Sequence, residues 1–512
     1  MGKKVNKGFF SYLFIFLGIA LAFVLVCAVI MLCNPGTKIF GLSYYKLEGS
    51  VKDFTYAVVY DSNGEPIKNE DGTTKTIEIN TATTDANNFK TIEINSNLFD
   101  VEFAQKSEDD AAGARQLLSI LIDANAKGFT KGEITRLKFS PKYFQDTKTL
   151  QLNLEVPQGF INFKSSNKIT VQLPKDFAGE FNIVVNSQAG NVKLGGSDGT
   201  SYTPNTLKAS SVNVTTTTGN ITTTKYFKSI DLLKDCSLKT DSGNITFDRP
   251  LVCKDLNVTT KTGEVKLTND IITVASTFTF NAEHSFLTLN KLTAPVINFA
   301  AKSGKIYAGE LTGNVEFSDL TNNCDFQVSS IDGFLKIGTL NEENISTKTK
   351  VVIKKYVSSL CNICTTGDIN ITEIKGTTKI RTENGNINIA KVNGELDITS
   401  LSSAINLGKI ADENGEVVSA GINKKVLISG SEYANITAYF NSVEDGSIIN
   451  TTKGKINIYL SASVACKINA EAKNISINGD AQGSTLKNHQ VNDGTNTLTL
   501  KAPNDSISIK NI

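Results

Sequence analysis

The sequence predicts an all-β chain: a parallel β-solenoid (β-helix) of roughly 20-residue coils, preceded by one N-terminal transmembrane helix. Three observations carry that reading. One long uncharged apolar run stands near the N-terminus, a four-slot apolar template recurs through most of the chain, and Gly marks many of the template's centres.

The apolar run comes first. Phe9 to Cys33 is about 25 consecutive uncharged, mostly apolar positions, enough at ~1.5 Å per residue to cross a ~30 Å hydrocarbon layer. Lys3, Lys4 and Lys7 precede it and only Lys38 stands close behind. The positive-inside bias therefore places residues 1–8 in the cytoplasm and the chain beyond about residue 34 outside, giving a single-pass protein of the cell membrane with an extracellular C-terminal region. A cleaved signal peptide is the alternative. Its apolar core runs about 7–15 residues and ends in small residues, whereas this run is longer and ends Met31-Leu32-Cys33-Asn34-Pro35.

Residues 34–74 read as a stalk or a small hairpin, with turn signals at Asp61-Ser-Asn-Gly64 and Glu70-Asp-Gly72. Alternating segments at 75–80 (KTIEIN), 90–95 (KTIEIN again) and 150–156 (LQLNLEV) read as early strands, so the solenoid is set at 75–512. Between them a helical insertion is expected near 107–127. Ser107 and Asp110 resemble a capping box, and Ala114, Leu117, Leu118, Leu121 and Ile122 fall on one helical face.

The repeat is recognised by its register. With each centre as position zero, apolar residues recur at −7, −5, +2 and +4. Around Gly190 these are Ile183, Val185, Val192 and Leu194; around Gly243, Cys236, Leu238, Ile245 and Phe247; around Gly263, Leu256, Val258, Val265 and Leu267. Ser285, Gly304, Ser403, Lys473 and Asp505 centre further copies, and weaker ones centre on Gly219, Cys324, Glu343, Gly367, Gly385, Ala434 and Gly454. Each unit reads as two strands around a corner, where Gly is expected to supply a positive φ. A further apolar residue at +7 (Leu292, Leu311, Ile374, Val392, Ile410) marks a shorter third side. A single unit cannot bury its own apolar side chains, and parallel stacking gives every slot a neighbour above and below. A β-sandwich also suits short regular strands, but has no reason to keep one template through so many units.

At Ile169-Thr-Val-Gln-Leu-Pro174, Phe181-Asn-Ile-Val-Val185, Ala189-Gly-Asn-Val192 and the repeated Ser/Thr-Gly-Asn-Ile corners, the chain resembles the bacterial "putative-adhesin" family of uncharacterised β-solenoid domains. The similarity spans about residues 75–512. It implies a solenoid and an adhesive role, and it brings no catalytic residues.

Composition narrows the chemistry. The 52 Lys and Arg against 51 Asp and Glu argue against a globally basic nucleic-acid binder. His284 and His489 are the only histidines and there is no Trp, so a His-rich metal centre and the best aromatic platform for sugars are both missing. No catalytic residue, metal ligand or cofactor is assigned. Cys361-x-x-Cys364 is a lone pair whose side chains should point to opposite faces of a strand. Cys236 and Cys466 fill −7 slots and should be buried.

The outward slots at +1 and +3 are the candidate binding face: Asn220, Thr222, Asn244, Thr246, Asn370, Asn386, Asn388 and Asn457. Stacked, they would make a flat polar surface able to hold cell-wall or surface glycans, or surface proteins, through many weak hydrogen bonds. The expected function is a membrane-anchored, surface-displayed adhesion or cell-envelope interaction module without catalysis. The alternatives are a polysaccharide-acting β-helix enzyme and a self-assembling scaffold, the latter because Ser506–Ile512 shows no polar cap against end-to-end self-association.

Overall fold

The computed structural model describes residues 7–50, 56–79, 86–105, 119–131, 138–155, 167–173, 181–196, 205–224, 227–269, 271–317, 324–340, 345, 347–411, 417–419, 421–430 and 432–512. Among the described residues, one α-helix, Lys7–Cys33, is followed by β-strands joined by turns and a short 3-10 turn at Ala86–Asn88. That helix contains a 23-residue stretch, Ser11–Cys33, long and apolar enough to cross a membrane. Its apolar side chains are exposed along nearly its whole length, as Phe14 and Ile19 show.

Two compact units divide the chain, residues 1–205 with 215–219, and residues 206–214 with 220–512. In the first, Lys38–Ile39 pairs antiparallel with the start of Leu42–Ser50. Strand Leu42–Ser50 then runs antiparallel along Ser119–Lys131. Here the helical insertion must be corrected. Residues 119–127 are strand, and 119–123 pair antiparallel with Lys168–Leu173 so that Ile120 and Ile122 are buried opposite Val171 and Ile169. A helical spacing of apolar residues yields to that pairing because Ile120 and Ile122 also share one face at the strand period, leaving Leu121 exposed on the other. Residues 107–118, with the capping-box pair, lie outside the described residues.

The start of the coils is corrected too. The first KTIEIN contributes Thr76–Glu78, an antiparallel partner of Tyr56–Tyr60, with Ile77 half-buried. The second contributes Thr91–Ser96, which lies between parallel strands Thr149–Glu155 and Asn182–Ser187 and buries both Ile92 and Ile94. One hexapeptide thus serves an antiparallel hairpin, where Ile79 is buried and Ile77 only half-buried, and a solenoid coil, and the neighbours decide which.

In the second unit each regular coil has three sides. Cys236–Thr240, Ile245–Phe247 and Leu251–Cys253 stack in register on Leu256–Thr260, Glu264–Leu267 and Ile272–Val274. All four template slots are buried around Gly190, Gly243, Gly263, Ser285, Gly304, Ser403 and Asp505, and so are Leu292, Leu311, Ile374 and Val392 of the third side. Around Lys473 the fourth slot, Ile477, is half-buried. Three weaker copies slip by one residue before the corner, the first with Leu335 and Ile337 inward ahead of position 343. Cys361 and Ile363 face inward ahead of Gly367, and Val426 and Ile428 ahead of Ala434. A one-residue change in corner length exchanges inner and outer positions, so the apolar residues move with it.

The corners require glycine for a reason other than the expected one. Of the corner glycines at 190, 219, 263, 304, 367, 385 and 454, Gly304 alone has a positive φ, 126°. The constraint is crowding between stacked coils. A methyl group on Gly263 would lie 1.8 Å from the Gly243 carbonyl oxygen, and one on Gly385 would lie 2.1 Å from that of Gly367. A hydroxyl three residues before the corner completes the turn. Thr240, Thr260 and Thr382 accept the N–H of Gly243, Gly263 and Gly385 at 2.9, 2.9 and 3.0 Å, satisfying a buried donor.

The C-terminal segment departs from simple winding. Strand Thr497–Asn511 lies between two coils, pairing in parallel with Ser447–Thr451 and Ile456–Leu460 on one side and with Cys466–Ile477 on the other. Residues 506–511 are therefore internal to the stack. The outer edge of Cys466–Ile477 is covered by the antiparallel strand Asp480–Val491. The reason for expecting end-to-end association at Ser506–Ile512 is thereby removed.

Candidate binding face

Parallel in-register stacking turns each sequence slot into a column. Asn370, Asn388 and Asn406 pair consecutively, and Thr437 and Asn457 continue the same column. The Asn388 side-chain N–H donates to Asn370 Oδ1 at 2.7 Å, and Asn406 donates to Asn388 Oδ1 at 2.9 Å. The carboxamides thus form a ladder because identical groups recur at the ~4.8 Å strand spacing. Asn386 stands in the adjacent column. Its backbone N–H binds Asp368 Oδ1 at 2.9 Å, and its own Oδ1 accepts the Ala404 N–H at 3.2 Å.

The earlier candidates sit several coils away and do similar work. Asn220 Oδ1 accepts the Asn244 N–H at 2.8 Å, and Asn244 Oδ1 accepts the Glu264 N–H at 2.9 Å. Thr222 and Thr246 share a rung and are half-buried. Four candidates, Asn370, Asn386, Asn388 and Asn457, are thus gathered on neighbouring columns, and Asn220, Thr222, Asn244 and Thr246 form a second group.

Two features of this surface escaped the sequence reading. Tyr439 and Tyr459, at +5 after their centres, stack with centroids 4.3 Å apart and planes 6° from parallel. Lys409 and Lys510 lie over their outer faces at 5.4 and 6.0 Å. The template's own next outward slot would have indicated them. Separately, the slots at −2 alternate in charge through Asp241, Lys261, Glu283 and Lys302. They wall a groove of about 340 Å³ whose floor includes Thr240, Thr260 and Ala282. Lys261 pairs with Asp241 at 2.7 Å and Lys302 with Glu283 at 3.8 Å. The hydrogen bond that Lys261 donates to the Asp241 carboxylate holds its ammonium pKa above the ordinary value.

The six thiols beyond the N-terminal helix belong to the core. Cys236 and Cys466 are buried as their slots require, and Cys253 and Cys324 are buried as well. Cys361 and Cys364 do not point to opposite faces. Both are buried, because Ile363 and Cys364 face inward in succession where the strand ends at the corner. Burial pushes the Cys253, Cys324 and Cys361 thiols up to about 12 and Cys466 to about 11. A thiol that keeps its proton in the fold but ionises when unfolded stabilises the protein fully below the unfolded value of about 8.5. That contribution is lost as pH rises toward the folded value. Native protein at pH 8.5 is expected to resist iodoacetamide at these four positions and to react once unfolded in urea. The urea midpoint should fall between pH 9 and 11, and rapid labelling of native Cys324 would contradict the buried assignment.

Among the described residues no group of three His, Cys, Asp or Glu side chains is placed to hold a metal ion. No curated protein matches the chain. A solved structure described as "a putative cell adhesion protein from Clostridium sporogenes ATCC 15579" aligns at 10% identity over 84% of this chain and 96% of that chain. Its TM-score of 0.12 is too low to bear on the fold. A family model described as Toastrack DUF4097 matches residues 89–269. That segment opens just before the first coil strand, Thr91–Ser96, and closes just after the corner strand Glu264–Leu267. Residues 89–269 thus match the Toastrack DUF4097 family, within the span of 75–512 over which a solenoid family is expected from the sequence.

Proposed function

We propose that this chain is a membrane-anchored, surface-displayed interaction module of the cell envelope, without catalysis. The N-terminal helix holds it in the membrane and the amide-rich face of its coils engages wall or surface glycans. The observation that carries this reading is the carboxamide ladder. Asn388, the middle rung, uses one N–H and one oxygen lone pair along the column. A second N–H and a second lone pair are left for hydroxyl-rich ligands. Repetition over several coils adds weak bonds into a usable affinity.

The full chain in detergent, screened against glycans and isolated wall material, should bind a defined subset. The double variant Asn388→Ala/Asn457→Ala should weaken that binding at least several-fold. Binding unchanged by the double variant would remove this face from the proposal, and failure to retain any glycan or wall fraction would remove the glycan reading itself. Protease treatment of intact cells should cleave the coils while the N-terminal helix stays with the membrane fraction. Incubation of the same chain with acidic glycans tests the enzymatic alternative, and no turnover is expected.

A further inference from the structure

The four-slot template reads the same in both chain directions. Positions −7 and +4, and −5 and +2, each sum to −3, so two copies of one coil laid antiparallel match every apolar slot. In the coil centred on Lys473, Cys466 would face Ile477 of a second copy and Ile468 would face Ile475. An exposed coil edge is thus self-complementary and fits a two-fold interface, in which the same patch serves both partners. Unpaired edges of this kind template association unless they are covered.

The edge of Cys466–Ile477 is covered by the chain itself. Strand Asp480–Val491 pairs with it antiparallel, in the direction a second copy would take, after a turn in which Asn478 and Gly479 both have positive φ, 52° and 94°. Its side chains match the slots poorly. Cys466 meets Val491, but Ile468 meets His489, Ile475 meets Gly483 and Ile477 meets Asp480, and the pairing carries three register shifts. Nearly every residue of the strand is exposed, and left-handed backbone at Gly483 and Asn488 bends it. From the other side Thr497–Asn511 holds Cys466–Ile477 through ten residue pairs, so the coil is anchored without Asp480–Val491. The first unit closes its parallel strands in the same manner, with antiparallel Ser119–Lys131 on Lys168–Leu173 and Lys138–Phe144 on Thr149–Glu155.

We propose that Asp480–Val491 is a protective strap. It occupies, with polar side chains, the antiparallel position that a second copy of this chain would take on the edge of Cys466–Ile477, and its release converts that edge into a dimer interface. The strap also carries the chain back to the start of Thr497–Asn511, so the test keeps its length.

In the full chain, held in detergent micelles, Asp480–Val491 is replaced by a flexible Gly/Ser segment of equal length, and protein mass is read by sedimentation equilibrium. The expected result is a β-type circular dichroism spectrum with a twofold rise in mass over the unaltered chain. A variant that keeps the spectrum and the original mass at the highest concentration reached overturns the proposal. Should the replacement abolish the β signal, Thr497–Asn511 does not anchor the coil and the proposal also fails as stated. The length-preserving variant Gly483→Pro/Lys487→Pro, which loosens the strap alone, is read in parallel. A twofold mass supports the proposal and an unchanged mass with an exposed, protease-cut strap overturns it.

Discussion

A chain carrying Gly263→Ala is expected to lose on the order of 3 kcal/mol of stability, at the upper end for overpacking a close-packed site. The added methyl would sit 1.8 Å from the Gly243 carbonyl oxygen and 3.0 Å from Thr260 Oγ1. Neither atom can retreat cheaply. The carbonyl belongs to the backbone of the preceding corner, and the Thr260 hydroxyl is held at 2.9 Å by the Gly263 N–H. Separating the corners would lengthen the ladder contacts on both flanking sides, where Cys236–Thr240 and Leu256–Thr260 pair over five residues. Gly72→Ala is the comparison. Gly72 has a φ of 82° in an exposed turn with nothing within 4 Å, so the cost there is backbone strain of about 1 kcal/mol. Urea midpoints of the two variants and the unaltered chain measure the difference. Equal midpoints for Gly263→Ala and the unaltered chain would show that the corners are not in contact.

Phe299→Ala is the second large effect. Phe299 is fully buried and its ring lies 6.0 Å from Phe278, 5.0 Å from Phe317 and 6.1 Å from Phe326, so one side chain joins three neighbours. Truncation leaves a cavity that these rings cannot all fill, and about 3–5 kcal/mol should be lost. Because stacked repeats are stabilised mainly by their nearest neighbours, the damage should begin locally. Amide exchange should rise first in the strands around residues 278, 317 and 326. Phe286→Ala is the control, since Phe286 is 50% exposed, and a change within about 0.5 kcal/mol is expected there. Uniform acceleration of exchange through the chain would argue for one cooperative unit in place of local loss.

Much of the fold was legible because a strand repeats every two residues and a solenoid repeats its coils. Ile183, Val185, Val192 and Leu194 could be assigned inward from alternation alone, and their burial follows. Cys236 and Cys466 were legible for the same reason, as small apolar residues in slots otherwise held by Ile, Leu or Phe. The candidate face was legible in composition and only partly in grouping. Alternation assigns Asn370 and Asn388 outward, but the bond between them depends on which coil stacks on which. Asn406 was passed over although it occupies the same outward slot. The Tyr439–Tyr459 stack requires two coils to align at a position beyond the template.

By itself the sequence determined the apolar helix, the β class, the parallel coils and the inward set of most repeats. These are encoded by local periods, which the backbone must obey wherever one side of a strand is buried. Tertiary structure alone decided whether KTIEIN became a hairpin edge at residue 76 or a coil at residue 91, and whether residues 119–127 extended as strand. It also decided that corner glycines answer to the carbonyl of the coil beneath, and that Thr497–Asn511 inserts before the strand that precedes it in sequence. The physical reason is common to all four. A period of two states which way a side chain points, whereas hydrogen-bonded neighbours tens of residues away state what it meets.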